Sequence, residues 1–369
     1  MLTTTFSFSG QLWKRLRKNK GAMFGIIIIA LAVLISIFGY LLAPDPSPNA
    51  DLQTVEIQAK KPGYQQLFLK IPDFKHSAPD IWIFTLFEGQ HQNYRYLPIS
   101  KYFVKGDSLV VHKYVDEDTS TIQYYSINDL TLNHPENLQT QNIITKKYWL
   151  GTDKFGRDIL SRLIIGTRVS LAVGLIAVII SLTIGTLLGA IAGYFRGKSD
   201  DIIMWLVNVT WSIPTLLLVF AITLALGKGF WQIFIAVGLT MWVSVARLVR
   251  GQVIAIKELE FIQAAKALGL SNTRIIARHI LPNILGPLMV IAAGNFATAI
   301  IIEAGLSFLG IGVQPPQPSW GLMIKENYNF IITHNPLLAL VPGFAIMLLV
   351  LAFNLLGNGL RDAVDVKES

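Results

Sequence analysis

The chain has 369 residues, no cysteine and a formal net charge of +8; it is 52% hydrophobic and only 15% charged. Soluble domains average about 25% charged residues, so this deficit, with a mean hydropathy of +0.50, points to lipid. The missing cysteines exclude a disulfide framework and a thiolate metal site.

Residues 1–20 form a tail holding Lys14, Arg15, Arg17, Lys18 and Lys20 and no acid. The apolar run Gly21–Leu42 follows, long enough for the roughly 20 residues that cross a bilayer as a helix. Its apolar core exceeds the about 7–15 residues of a signal peptide, and Ala43-Pro-Asp-Pro makes a poor cleavage site, so it reads as a retained anchor. Further runs at Val169–Gly193, Ile202–Leu226, Phe230–Leu248, Ile284–Ile302 and Leu337–Asn358 bring the predicted spans to six.

Orientation follows from the basic residues beside the spans. Six crossings put the N-terminal tail on the same side as Arg196 and Lys198, then Arg247, Arg250, Lys257, Lys266, Arg274 and Arg278, then Arg361 and Lys367. The opposite short loops offer only Lys228 and Lys325. Both termini are therefore expected in the cytoplasm, including the short tail 363–369, and the positive charge expresses topology rather than nucleic-acid binding.

Residues 43–147 form a hydrophilic insertion on the external side, opened by Pro44, Pro46 and Pro48 as a stiff exit from the membrane. Runs beginning at Asp80 (through Phe87), Ser108 (through Val115) and Ser120 (through Ile127) read as strands, with Lys105-Gly-Asp and Asp116-Glu-Asp as turns. The insertion is expected to be a small β-rich domain, either a folded spacer or a docking platform. After it, Gly151-x-x-x-x-Gly156 has the outline of a phosphate loop, but Arg157-Asp158 stands where Lys-Ser/Thr is required, and a turn leading into a helix is the better reading.

Within the second span Gly185, Gly189 and Gly193 recur every fourth residue, a smooth stripe along which another helix can approach. The polar in-span residues are Asn208, Thr210, Trp211 and Ser212 before Pro214, then Asn295, Thr298 and Glu303; they are candidates for a translocation pathway, with helix–helix hydrogen bonding as the alternative for each. Pro214 is expected to kink or interrupt its helix.

The segment 250–282 between the fourth and fifth spans is polar, basic and helix-forming. Gln252–Leu268 is predicted as one helix, Gly269 as its left-handed cap, Ser271 as the cap of a second short helix, and Pro282 as the first turn of the next span. Phe261, Leu268 and Leu270 supply apolar contacts and Ala264 and Ala265 are small, so the product is a helical hairpin suited to a groove in a partner.

Gln263-Ala264-Ala265-x3-Gly269 ending in Arg278-His279-Ile280-Leu281-Pro282-Asn283 resembles the cytoplasmic loop of bacterial ABC importer membrane subunits, whose pattern has glutamate at the Gln263 position and isoleucine at the His279 position. Leu150-Gly-Thr-Asp-x-x-Gly-Arg-Asp-x-Leu-Ser-Arg162, Glu303-Ala-Gly-Leu-Ser-Phe-Leu-Gly-Ile-Gly312, Gln314-Pro-Pro-x-Pro-Ser-Trp-Gly321 and Asn354-Leu-Leu-Gly-Asn-Gly-Leu-Arg-Asp362 are similar to the C-type permeases of the dipeptide, oligopeptide and nickel branch. The long insertion is the main departure.

The resemblance implies an all-α polytopic fold, a type I importer core over 148–362 with the β-rich insertion added. It implies a non-catalytic subunit in the bacterial inner membrane, binding no cofactor or metal. Its partners would be a homologous second permease subunit, two cytoplasmic ATPases that consume ATP and Mg, and an external solute-binding protein. Glu260, Phe261, Gln263, Ala264, Ala265, Leu268, Gly269, Arg278, His279 and Pro282 would form the ATPase-coupling loop, with Glu260 one turn from Gln263 as a substitute acid. Peptides are the expected cargo, nickel or another small solute the alternative. An intramembrane enzyme has little support, because the six histidines are scattered rather than spaced as ligands. A membrane-anchored sensor would leave the cytoplasmic hairpin without a purpose.

Overall fold

The computed structural model describes residues 10, 12–73, 82–90, 92–131, 138–227, 229–332 and 335–364. The chain divides into two compact units, one of residues 1–33, 169–314 and 344–369 and one of residues 34–168 and 315–343. In chain order the elements begin with α1 (Lys20–Leu42), β1 (Tyr64–Pro72), α2 (Trp82–Glu88), β2 (Tyr94–Lys105), β3 (Ser108–Tyr114), β4 (Ser120–Ser126), α3 (Ile127–Thr131) and β5 (Ile143–Tyr148). They continue with α4 (Ile159–Phe195), α5 (Lys198–Ser212), α6 (Thr215–Leu226), α7 (Phe230–Lys257), α8 (Glu260–Ala267), α9 (Asn272–Ile275), α10 (Leu285–Leu309), α11 (Trp320–Asn327) and α12 (Leu337–Val364).

Among the described residues, five helical runs are long and apolar enough to cross a membrane: α1, α4, α7, the run Asn272–Leu309 that contains α9 and α10, and α12. Helix is the form such runs must take, because lipid offers no partner for an open backbone amide or carbonyl. The third predicted span differs. Ile213 and Pro214 are extended, and α5 meets α6 at a bend of 96°. Pro214 supplies no amide hydrogen, so it interrupts the span rather than merely curving it. The second helix also starts at Ile159, ahead of the predicted Val169, because Asp158 caps it: its carboxylate accepts from the Ser161 amide at 2.8 Å.

In the first unit, contacts between helices reveal their polarity. Gly185, Gly189 and Gly193 of α4 lie against the carbonyls of Trp242, Ala246 and Arg250 of α7, so these two helices run the same way. Gly357 of α12 sits on Ala293 of α10 while Phe353 stacks on Phe296, centroids 4.0 Å apart, so α10 and α12 are antiparallel. Gly25 of α1 approaches Ala352, and Gly359 approaches Ala22, another antiparallel pair. Asn19 donates to Asp362 at 3.0 Å, so the N-terminal end of α1 lies beside the C-terminal end of α12.

The second unit holds a five-stranded antiparallel sheet in the order β4-β3-β2-β1-β5. Leu67 pairs with Ile99 on one side and Thr145 on the other. One face carries Leu69, Leu97, Leu109 and Val111 with Leu130 and Leu138; the other carries Phe68 with Ile57 and Tyr148. The predicted strand at Asp80–Phe87 is corrected: Asp80 and Ile81 lie outside the described residues, and Trp82–Glu88 is helical. A continuous apolar run has no period-two signature, so strand and helix could not be told apart there. Gly89 (φ +86°) ends α2, packed so closely on Pro46 that a side chain would not fit.

Candidate functional site

The hairpin is built differently at its first joint from the predicted continuous helix. α7 stops at Lys257, Leu259 is extended, and α8 starts afresh at Glu260. The Gln263 side-chain amide donates to the Lys257 carbonyl at 3.0 Å, closing the open end of α7. A glutamate there would have no proton to give. Gly269 adopts φ +75°, and the Leu270 amide reaches back to the Ala265 carbonyl at 3.2 Å, the left-handed cap expected of this position. Ser271 has the extended backbone of a cap, but its side chain makes no capping bond.

Pro282 does not open a separate helix, which corrects the last joint. The path from Asn272 to Leu309 is unbroken, passing through a wide π turn at Ile276–Ile280 and a tight 3-10 turn at Leu281–Ile284. That widening followed by tightening absorbs the missing amide of the proline without ending the run.

Inward, the hairpin is clamped. Ile262, Ala265, Ile275, Ile280 and Ile284 are buried with Ala190 and Tyr194 of α4 and with Val249 and Val253 of α7. Lys257 donates to the Tyr194 carbonyl, and the Tyr194 hydroxyl to the Asn272 side chain, both at 2.8 Å. Outward, Glu260, Phe261, Gln263, Ala264, Gly269, Arg278 and Pro282 are exposed, His279 is half-buried, and Leu268 is 80% exposed. The hairpin thus presents an exposed apolar tip on a buried base.

The in-span polar residues separate into two groups. Asn208 accepts from Arg247 of α7 at 2.8 Å, and the Arg247 guanidinium lies 3.4 Å from the Trp211 ring centroid. Arg247, counted from sequence only as a flanking charge, therefore joins Asn208 and Trp211 beside the break at Pro214. Thr210 and Ser212 bond their own helix, as does Thr298, whose hydroxyl donates to the Gly294 carbonyl. Asn295 is buried and reaches Ser181 of α4 at 3.5 Å. Glu303 is wholly buried and accepts from Ser307 at 2.7 Å, an interior hydrogen bond near the end of α10.

The second unit contains a charge cluster that no sequence signal disclosed. Buried Arg157 contacts Asp153 at 2.7 Å, Asp51 at 3.0 Å and Glu326 at 2.7 Å. Arg162, equally buried, faces the same three carboxylates at 3.5–3.8 Å without a hydrogen bond among the described residues. Beside it, burial pushes Asp158 above the usual carboxylate range and lowers Lys146 to about 8. The Gly151–Asp158 turn is thus a scaffold for buried charge.

The description "Binding-protein-dependent transport system inner membrane component" matches residues 185–368, and "N-terminal TM domain of oligopeptide transport permease C" matches residues 7–62. The dipeptide transport system permease protein DppC of Alkalihalophilus pseudofirmus is 47% identical over 221 residues, covering 60% of this chain and 72% of the relative. The chain belongs to the binding-protein-dependent inner membrane component family. The glutathione transport system permease protein GsiD of Pectobacterium atrosepticum is 44% identical over 220 residues, and the oligopeptide transport system permease protein OppC of Bacillus subtilis 39% over 223, each match covering 60% of this chain and 73% of the relative. Among solved structures, the inward-facing MetNI methionine ABC transporter aligns at 20% identity and TM-score 0.46, over 56% of this chain and 97% of that one. The protein is a helical, multi-pass inner-membrane permease component, a transport subunit rather than a catalyst. Residues 63–184, which include all five strands, lie between the two matched stretches.

Proposed function

We propose that the chain is one half of the translocation pathway of a peptide importer, and that its hairpin 250–282 receives the stroke of cytoplasmic ATPases. The observation that carries this reading is the clamped base beneath an exposed apolar tip. Leu268 and Phe261 face outward, while Ile262 and Ala265 on the same helix are locked against α4 and α7. Rotation of the hairpin by an ATPase would then carry α4 and α7 with it, because the glycine contacts leave no slack between them. Partner ATPases bind and hydrolyse the ATP with Mg, since the Gly151–Asp158 turn lacks the residues of a phosphate loop. A second permease completes the pathway, and an external binding protein delivers the cargo. The DppC and OppC relatives favour di- and oligopeptides over nickel or another small solute.

Helix polarity supports six crossings with both termini inside. Since α4 and α7 run the same way, the bent pair α5–α6 has to return the chain across the membrane between them. The antiparallel α1 and α12 bring both chain ends to one side, the side of Arg15, Arg17 and Arg361. Residues 43–147 are then an external domain. Asn208, Trp211 and Arg247 are the residues we assign to the pathway wall, whereas Asn295 and Glu303 serve packing.

Replacing Gly269 with valine tests the coupling role, because a β-branched residue resists positive φ. In the reconstituted transporter, G269V is expected to remain inserted yet lose substrate-stimulated ATP hydrolysis and uptake together. Unchanged uptake in that variant would overturn the assignment.

A further inference from the structure

Where α4 leaves the membrane, a groove of about 690 Å³ opens between it and the helical run Asn272–Leu309. Its walls are mostly apolar: Leu182, Thr186 and Ala190 on one side, Thr273, Ala277 and Leu281 on the other. Both walls belong to helices long and apolar enough to cross a bilayer. At its cytoplasmic end the groove is bounded by Phe195, which packs edge-on against Tyr194, centroids 5.2 Å apart. The apolar run of α4 ends at Phe195 and turns basic at Arg196, which sets this end of the groove at the membrane surface.

Basic residues adjoin the lining in sequence on both walls. Arg196 follows Phe195 directly, and Arg274 and Arg278 are spaced four apart on the stripe next to Thr273 and Ala277. All three are exposed, and none has an ion-pair partner among the described residues. The nearby acid Asp200 is taken by Arg250 at 2.6 Å, which leaves exposed Asp201 as the acid in that stretch. An apolar slot between α4 and the base of the hairpin, at the membrane surface and with exposed arginines beside both walls, matches a molecule with an acyl chain and an anionic head.

We infer that this groove binds one anionic phospholipid, an acyl chain lying along α4 and the phosphate among Arg196, Arg274 and Arg278. The lipid would rest against the back of the hairpin, where bilayer composition can bear on its stiffness.

The test uses the transporter purified with its partner subunits in mild detergent. Phosphatidylglycerol or phosphatidylcholine of identical acyl chains is added, and retained lipid is counted by native mass spectrometry. One phosphatidylglycerol per copy of this chain is expected to survive, with phosphatidylcholine lost. The double variant R274Q/R278Q should weaken retention by about five-fold per arginine removed. T183W, which fills the groove from an exposed lining position while leaving every charge in place, should abolish it. The two variants perturb different features, so failure of one to fold leaves the other decisive. Equal retention of both lipids would mean an ordinary annular lipid. Full retention by T183W would refute the groove as the site. An absence of bound lipid, with assembly blocked in T183W, would mean that a partner helix fills it. Each of these three results overturns the inference.

Discussion

A methyl group placed on Gly189 tests the α4–α7 lock most sharply. Its carbon would fall 2.5 Å from the Ala246 carbonyl oxygen and 2.9 Å from the Val249 Cβ. Neither neighbour can step aside, because one is helix backbone and the other is attached directly to it. At Gly185 the corresponding distances are 2.5 Å to the Val245 Cβ and 2.6 Å to the Trp242 carbonyl. Overpacking of this kind costs about 1–3 kcal/mol, and rigid backbone opponents argue for the upper half of that range. Replacing a helical glycine with alanine returns roughly 0.5–1 kcal/mol. Each single substitution should therefore destabilise by about 1–2.5 kcal/mol net. Gly251, on α7, is the control: an added Cβ there meets nothing within 4 Å. The same chemical change should then stabilise by about 0.5–1 kcal/mol. Thermal unfolding of the purified chain in detergent would read opposite shifts for G189A and G251A. Shifts of the same sign and size would refute the idea that the stripe exists for close approach.

Two further outcomes concern the second unit. Removing Arg157 as R157M leaves Asp51, Asp153 and Glu326 facing Arg162 alone, and a buried pair broken on one side typically costs about 3–5 kcal/mol. Protease resistance of residues 34–168 should collapse in that variant, and a loss below about 1 kcal/mol would show the cluster to be solvated. Lys146 titrates near 8 rather than 10.5 because burial disfavours its charge, against the pull of Asp45 and Asp158. The folded state therefore releases this proton first. The penalty is present in full below pH 8 and fades as pH rises toward 10.5, so the sheet gains stability across that window. Amide exchange in β1 and β5, corrected for its intrinsic pH dependence, should slow correspondingly in the wild type but not in K146M.

The membrane runs were legible because the bilayer imposes a length and a composition that any reading can count. The hairpin was legible at Gly269, whose positive φ is a local demand, but not at Glu258–Leu259. There helix-forming residues on both sides conceal a break that depends on the Gln263 amide folding back to Lys257. Strands β3 and β4 and their turns were readable from their flanking Gly and Asp residues. β1 was hidden because adjacent Phe68 and Leu69 are both buried, one on each covered face of the sheet, which erases alternation. β2 carries Pro98 opposite Phe68, with a bulge just beyond Ile99, and a proline reads as a strand breaker. The Arg157 cluster joins residues 51, 153 and 326, a distance along the chain that no local pattern spans. Arg247 was visible as a charge; its place against Asn208 and Trp211 needed the fold.

The most direct test of force transmission through the hairpin is a single thiol at its tip. The sequence has no cysteine, and Leu268 is the most exposed apolar residue of the segment at 80%, so L268C gives one addressable site. The account predicts that an impermeant thiol reagent leaves L268C untouched in sealed cells, labels it in inverted membranes, and is blocked there by bound ATPase subunits. Labelling from the outside of sealed cells, or labelling indifferent to the ATPases, would contradict it.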